Sequence, residues 1–308
     1  MTQNDSFKPE KVMMSGASGM LGSALRETLR GSGAEVIQLV RREPAHSGEM
    51  HWKGKGQLDD EKFRKGLTAA IHLSGANLSA HRWTDAYRRE IRESRVETTR
   101  TLAEGLARMR QPPAVLLAAS AVGIYGDRGD EMLTETSEPG NGFLAEVCRE
   151  WEAAAQAAVE VGIRVVHLRF GVVLGAGAGA LAKMLPIFRL GLGGRLGSGQ
   201  QWMSWIGIED AVAAVRFLMD ADGITGAVNV TAPHPVTNRE FTRALAKALR
   251  RPAVLPAPAF ALRLAMGPMA DEALLASTRA VPTRLMEAGF RFAQPTVREA
   301  LKAVDSER

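Results

Sequence analysis

The sequence predicts an α/β protein built on a doubly wound parallel sheet, with a smaller, mainly helical C-terminal domain. Three observations carry that reading. Apolar runs of strand length alternate with helical patterns along most of the 308 residues. A glycine-rich turn joins the first apolar run to the first helix. The last quarter replaces strands with helices punctuated by proline.

The first run, Val12 to Met14, ends in the turn Gly16-Ala17-Ser18-Gly19-Met20-Leu21-Gly22. Leu21, Ala24, Leu25 and Leu29 then recur at helical spacing until Gly31 and Gly33 stop the helix. Glu35 to Val40 is a strand by composition, so strand, turn, helix and strand make one βαβ unit of about 30 residues. Ala69 to Leu73, Val115 to Ala119 and Ile163 to Leu168 are further buried-strand candidates separated by helical patterns. That alternation predicts a Rossmann-type sheet with helices on both faces.

After Arg169 the chain turns to glycine-rich loops, Gly171 to Gly179 and Gly191 to Gly199, around a short amphipathic piece near Leu181 to Leu190. A helix from Ile208 to Met219, with Glu209 and Asp210 in its first turn, leads to a strand at Ala227 to Val230, and both are expected to rejoin the sheet. Thr237-Asn238-Arg239-Glu240 and Thr296-Val297-Arg298-Glu299 each fit the capping box that opens a helix, and prolines 252, 256, 258 and 268 interrupt the stretch between them. The expected organisation is a dinucleotide-binding domain from 1–174 and 205–231, and a small substrate domain from 175–204 and 232–308.

Composition narrows the function. With 45% apolar residues the chain can bury a large core. No run approaches the roughly 18 apolar residues of a membrane span, and the N-terminus MTQNDSFKPEK lacks an apolar signal region, so a cytoplasmic protein with no membrane partner is expected. The single cysteine, Cys148, cannot close an intrachain disulfide, and the 6 histidines show no zinc-ligand spacing, so no metal is expected. The formal charge of +5 is dispersed, and even the Arg82 to Arg110 run is interleaved with Glu90, Glu93, Glu97 and Glu104. No basic stripe with interleaved aromatics points to nucleic acid.

The anion this composition does suit is a dinucleotide. Among 31 glycines a GxxGxxG match means little, but here the first glycine follows an apolar strand and the last falls in the first helical turn. Gly16 permits the tight turn, Gly19 lets the backbone approach a pyrophosphate, and Gly22 lets helix and strand pack closely. Ser18, Met20 and Leu21 lie where free N–H groups and the positive end of the helix dipole meet the phosphates. An acidic residue ending the second strand would bind the ribose hydroxyls of NAD. This strand instead ends Val40-Arg41-Arg42, and two guanidiniums suit a 2′-phosphate, predicting NADPH in preference to NADH.

These residues, with His72-Leu73-Ser74-Gly75 and Ser120 to Gly126, resemble the extended short-chain dehydrogenase/reductases. A narrower resemblance lies in Ala119-Ser120-Ala121-Val122-Gly123-Ile124-Tyr125-Gly126-Asp127, Phe143 to Glu152, Gly199 to Ile206, Pro282 and Gly289-Phe290. Over about residues 11 to 303 the chain is similar to the atypical subgroup of uncharacterised epimerase family proteins. The resemblance implies NADP binding, with Leu73, Ser74, Gly75, Ala119 and Arg169 beside the cofactor. It also implies a Ser or Thr four residues before the Tyr-Gly pair, and a Tyr followed four residues later by a Lys. Ala121 stands at the first position, and Leu144 and Cys148 at the other two; Phe143 and Val147 are no better. The only tyrosines, Tyr87 and Tyr125, are not followed by such a lysine, so the pair is absent in any alignment.

Ser120, Tyr125 and Cys148 are the candidates to act in its place: Ser120 could instead close a strand, Tyr125 carries a hydroxyl but has no nearby cation in sequence, and Cys148 could instead be a buried helix residue. Glu146 and Arg149 are expected to face water. Asn77, His81, Arg82 and Trp83 follow a strand end, and Gln200, Gln201, Trp202, Ser204 and Trp205 lie at a crossing between the domains; both groups suit substrate contact or interdomain packing. Arg189 and Arg195 suit an anion or solvent. Two functions stay open: an NADP(H)-dependent oxidoreductase or epimerase-like enzyme on an unidentified small molecule, and a non-catalytic dinucleotide-sensing or scaffold protein. Oligomeric state stays open too, a homodimer being one option because related folds often pair through helices.

Overall fold

A computed structural model describes residues 11–54, 58 and 65–302, so the polar N-terminal segment read above lies, but for Lys11, outside the described residues. Seven strands form the central sheet: β1 (Lys11–Ser15), β2 (Glu35–Val40), β3 (Glu49–His51), β4 (Ala69–His72), β5 (Val115–Ala121), β6 (Arg164–Phe170) and β7 (Gly226–Val230). Their order is β7-β6-β5-β4-β1-β2-β3, every neighbouring pair parallel. The chain runs outward from β1 to β3, then restarts beside β1 at β4 and runs the other way. The crevice between β1 and β4 is therefore the topological switch point, where ligands of such sheets bind.

Val12, Met14, Ile71, Leu117 and Val166 pack on one face with α1 (Met20–Gly31) and α5 (Ile208–Asp220), while Met13, Ile37, Ala70, Leu116 and Val165 pack on the other with α2 (Asp85–Ala107). Both faces are apolar because parallel strands need crossover helices on each side. The helix and strand expected to rejoin the sheet do so as α5 and β7, β7 forming the edge. β3 is missing from the sequence reading: three residues, Glu-Met-His, carry no strand signature, and the buried Glu49 carboxylate is met by Arg42 and by the Ala45 amide.

A further core joins Leu181, Leu185 and Phe188 of α4 (Gly179–Arg189), Phe241, Leu245 and Leu249 of α6 (Asn238–Leu249), and Val297, Ala300 and Leu301 near the C-terminus. Both anticipated capping boxes are present, at Thr237–Glu240 and Thr296–Glu299. This smaller region reaches back to the sheet. Residues 279–280 pair in parallel with 132–133. Glu272 Oε2 accepts the Leu144 amide at 2.8 Å, capping α3 (Phe143–Ala153), whose own Gly142 offers no side-chain cap. No helix among the described residues is long and apolar enough to cross a membrane.

Candidate functional site

The turn after β1 sits in the switch-point crevice. Gly16 has φ +70°, and a Cβ there would lie 2.7 Å from the Leu73 carbonyl, so the turn is pressed against the end of β4. A Cβ at Gly22 would come within 2.1 Å of the Gly16 oxygen, which is why α1 packs so closely under the turn. Gly19 differs. Its φ of −72° suits any residue, and a Cβ would meet nothing nearer than the Gly16 oxygen at 3.4 Å. Neither backbone nor neighbours demand glycine at 19, so the room it leaves opens outward, beside exposed Ser18.

Among the described residues, no acceptor takes the amides of Met20, Leu21 or Gly22, the first three N–H groups of α1. Orphan amides beneath a turn stripped of side-chain bulk fit a diphosphate, and a nicotinamide dinucleotide carries one. Leu73, Ser74, Gly75 and Ala119 lie at neighbouring strand ends. Their loop is braced by residues the sequence reading passed over: Ser94 Oγ accepts the Ala76 amide at 2.9 Å and Arg95 Nη2 donates to the Ala76 carbonyl at 3.0 Å.

Buried His72, at the end of β4, lies below this loop. Thr98 Oγ1 spends its proton on the Ser94 carbonyl at 2.7 Å, so it accepts from His72 Nε2 at 3.2 Å, and Ser15 Oγ donates to Nδ1 at 2.5 Å. Burial pushes the imidazole pKa down to about 4, keeping it neutral.

At the end of β2 the two arginines part. Arg42 grips Glu49 with both Nη atoms, at 2.8 and 2.5 Å, and this contact holds the Glu49 carboxyl at about 2. Arg42, expected at the 2′-phosphate, is thus paired with β3 while its side chain stays 58% exposed. Arg41 is exposed, and its guanidinium has no partner among the described residues.

Met20 closes the other side. A Cβ at Gly175 would lie 2.7 Å from Met20 Sδ, and one at Gly179 3.2 Å from its Cε, so α4 begins against the turn. One turn on, Lys183 Nζ donates to the Ser79 carbonyl at 3.0 Å and to Ser79 Oγ at 2.6 Å. The β1 turn, the loop after β4 and α4 are thus brought side by side; no sequence motif marked Lys183.

Arg169, expected beside the cofactor, is engaged in a buried network at the ends of three strands. Ser120, Arg169 and Asn229 are in register across β5, β6 and β7. Arg169 is 7% exposed and donates Nε and Nη2 to Glu152 at 2.8 and 2.9 Å, and Nη1 to Tyr125 Oη at 3.0 Å. Ser120 Oγ donates to Glu152 at 2.7 Å, and Tyr125 Oη to Asn229 Oδ1 at 2.8 Å. Burial pushes the Glu152 carboxyl up, but the Arg169 guanidinium outweighs it and the net shift is downward. Burial raises the Tyr125 phenol. Tyr125 is wholly buried, and Cys148, 4% exposed, is pushed up to about 12 by burial. None of Ser120, Tyr125 and Cys148 presents a free, ionisable group: the first two belong to this network and Cys148 to the core.

The tryptophans also turn inward. Trp83 is 5% exposed, its Nε1 on the Leu78 carbonyl and its ring edge-on to Phe143. Trp205 is buried with Nε1 on the His234 carbonyl, and Trp202 donates to Asp130 while Arg279 stacks on its ring. Gln201 Nε2 bridges the Leu196 and Leu274 carbonyls, and Ser204 Oγ binds the 278–280 backbone. These five hold elements together. Asn77 Oδ1 accepts from Ser79, His81 packs on Tyr87, and Gln200, Arg82, Arg189 and Arg195 are exposed. Glu146 and Arg149, exposed as expected, contact Arg92 and the Gly140 carbonyl.

The family model described as NAD dependent epimerase/dehydratase family matches residues 12–231, and a domain of unknown function, DUF1731, matches 257–304. The epimerase family protein Mb2239 of Mycobacterium bovis is 43% identical over 290 residues, covering 94% of this chain and 96% of that one. The epimerase family protein YfhF of Bacillus subtilis is 34% identical, covering 96% and 98%. The crystal structure of human epimerase family protein SDR39U1 (isoform 2) with NADPH superposes with a TM-score of 0.89 at 32% identity, covering 97% of this chain and all of that one. A nucleoside-diphosphate sugar epimerase from Corynebacterium glutamicum superposes with a TM-score of 0.77 at 38% identity, covering 95% of this chain and 57% of that one. With the glycine turn, the parallel sheet and the C-terminal region all matched, the chain belongs to the NAD dependent epimerase/dehydratase family, among its SDR39U1-type epimerase family proteins.

Proposed function

We propose that this protein binds NADP(H) in the β1–β4 crevice, in preference to NAD(H), and uses it as an oxidoreductase or epimerase-like enzyme on a small molecule in the cytoplasm. The observation that carries the reading is the Gly19 turn, open where nothing in the protein requires it to be, above three unpartnered amides. NADPH in the human relative's crystal structure supports it. Met20, Leu21 and Gly22 amides take the diphosphate, Arg41 the 2′-phosphate, and Leu73, Ser74, Gly75 and Ala119 flank the rest. When bound, the nicotinamide supplies the hydride chemistry. The protein orients the substrate between the loop after β4 and α4, and the proton passes through water or a cleft residue, since the Tyr/Lys pair is missing.

One observation favours a second reading, a non-catalytic dinucleotide sensor or scaffold: Ser120, Tyr125 and Cys148, the candidates to replace the pair, are all buried in hydrogen bonds or core. Calorimetric titration with NADPH and NADH, followed by absorbance at the nicotinamide band with panels of carbonyls and nucleotide-linked sugars, separates them. Tighter NADPH binding with turnover is expected. Tighter NADH, or no binding, overturns the cofactor reading; tight NADPH that no panel member oxidises supports the sensor.

A further inference from the structure

Among the described residues, a cluster of guanidiniums without acidic partners lies in the smaller region. α6 presents Arg239, Thr242 and Arg243 at i, i+3 and i+4, one face of the helix. Arg195 faces them from the loop that crosses the helix start, and Gly199 fits between: a Cβ there would lie 2.9 Å from Arg195 Cδ and 3.3 Å from Arg239 Cβ. The loop is held in place from both sides. The Leu196 amide donates to Asn238 Oδ1 at 2.8 Å, and the Ala257 amide to the Arg195 carbonyl at 2.9 Å.

Together these side chains line a cavity of about 410 Å³, walled on its apolar side by Val254 and Pro256. No acidic residue among the described residues lines it. Glu240, the nearest carboxylate in sequence, is spent on the Thr237 capping box. Among the described residues the guanidiniums of Arg195 and Arg243 have no hydrogen bond or ion pair, and that of Arg239 reaches only the Ser198 carbonyl, at 3.4 Å. Arg239 Nε and Thr242 Oγ1 are buried without partners, and Thr242 is 4% exposed.

Three guanidiniums around one cavity repel one another, and buried donors without acceptors cost stability. An oxyanion relieves both, and guanidinium forks match phosphate geometry. The helix amides are not what would hold it: those of Asn238, Arg239 and Glu240 already donate to the Gln201 carbonyl, the Gly199 carbonyl and Thr237 Oγ1. We propose that Arg195, Arg239, Arg243 and Thr242 form a second anion site, for a small organic phosphate whose body rests on Val254 and Pro256. The volume falls within the range of small-molecule sites.

The test is calorimetry on the full chain, with inorganic phosphate and phenyl phosphate as probes, in the presence and absence of NADPH. Phenyl phosphate is expected to bind more tightly than inorganic phosphate whether or not NADPH is present. Arg243→Gln is expected to weaken it by about tenfold or more, as for loss of a charge-assisted contact, with NADPH binding unchanged. Thr242→Val should also weaken it while leaving the thermal midpoint equal or higher, because it removes an unpaired buried hydroxyl. Should Arg243→Gln fail to fold, Arg195→Gln in the loop reads the same site. Absence of heat, equal affinity in the variants, or displacement of phenyl phosphate by NADPH overturns the proposal. If NADPH itself fails to bind while phenyl phosphate responds to Arg243→Gln, the second site stands and the cofactor reading falls.

Discussion

Replacing Arg41 by Ala isolates how the 2′-phosphate would be recognised. The two arginines ending β2 are adjacent, yet Arg42 has both Nη atoms on Glu49 whereas Arg41 has an unengaged guanidinium. A charge-assisted hydrogen bond contributes about 1.5–3 kcal/mol, and solvent screening at an exposed residue favours the lower end. Since about 1.4 kcal/mol is tenfold in affinity, Arg41→Ala is expected to weaken NADPH binding about tenfold and leave NADH within about twofold. Parallel calorimetric titrations of both coenzymes read the ratio directly. Arg42→Ala is expected to act differently: it strips Glu49 of the cation that holds its carboxyl at about 2, lowering the thermal midpoint while the coenzyme preference persists. A preference that survives Arg41→Ala, or vanishes in Arg42→Ala alone, would refute this assignment.

Gly19→Ala should leave the thermal midpoint unchanged, because its Cβ meets only the Gly16 oxygen at 3.4 Å, yet weaken NADPH binding at least severalfold; Gly22→Ala, at 2.1 Å from the same oxygen, should lower both. Equal behaviour of the two variants would contradict the outward role of Gly19. Glu152→Gln leaves the buried Arg169 charge without its counter-ion and should cost about 3 kcal/mol in urea unfolding, a loss under 1 kcal/mol arguing against the network. Stability should also fall as pH drops from about 6.5 towards 4, because the unfolded chain takes up a proton at His72 that the folded one, with its pKa near 4, refuses. The loss should approach about 3 kcal/mol, and a His72→Gln variant that keeps the same pH profile would show that another group is responsible.

The cofactor half was legible because its signals are local. β2 spans the residues its composition marked, Glu35 to Val40, and the helix opened by Gly19 begins at Met20. The polar residues were not legible in the same way. Adjacent arginines look alike in sequence, and only the pairing of β3 with β2 brings Glu49 to Arg42. Arg169 follows an apolar strand as a ligand-binding residue would, yet a helix residue 17 positions earlier claims it. Trp83 and Trp202 suggested stacking surfaces until Leu78 and Asp130 took their indole N–H groups.

What the sequence alone determined was the alternation of most strands and helices, the glycine turn and that neither tyrosine is followed four residues later by a lysine, since periodicity, chain reversal and residue identity are properties of short stretches. The tertiary structure decided which charges are spent and which are free: Arg42 is paired with Glu49 and Arg169 with Glu152, the Arg41 guanidinium has no partner among the described residues, and Arg195, Arg239 and Arg243 gather about one cavity. The pairing of a charge depends on neighbours brought near by folding, and desolvation makes those distant partners, rather than the residue's own type, set what it can bind.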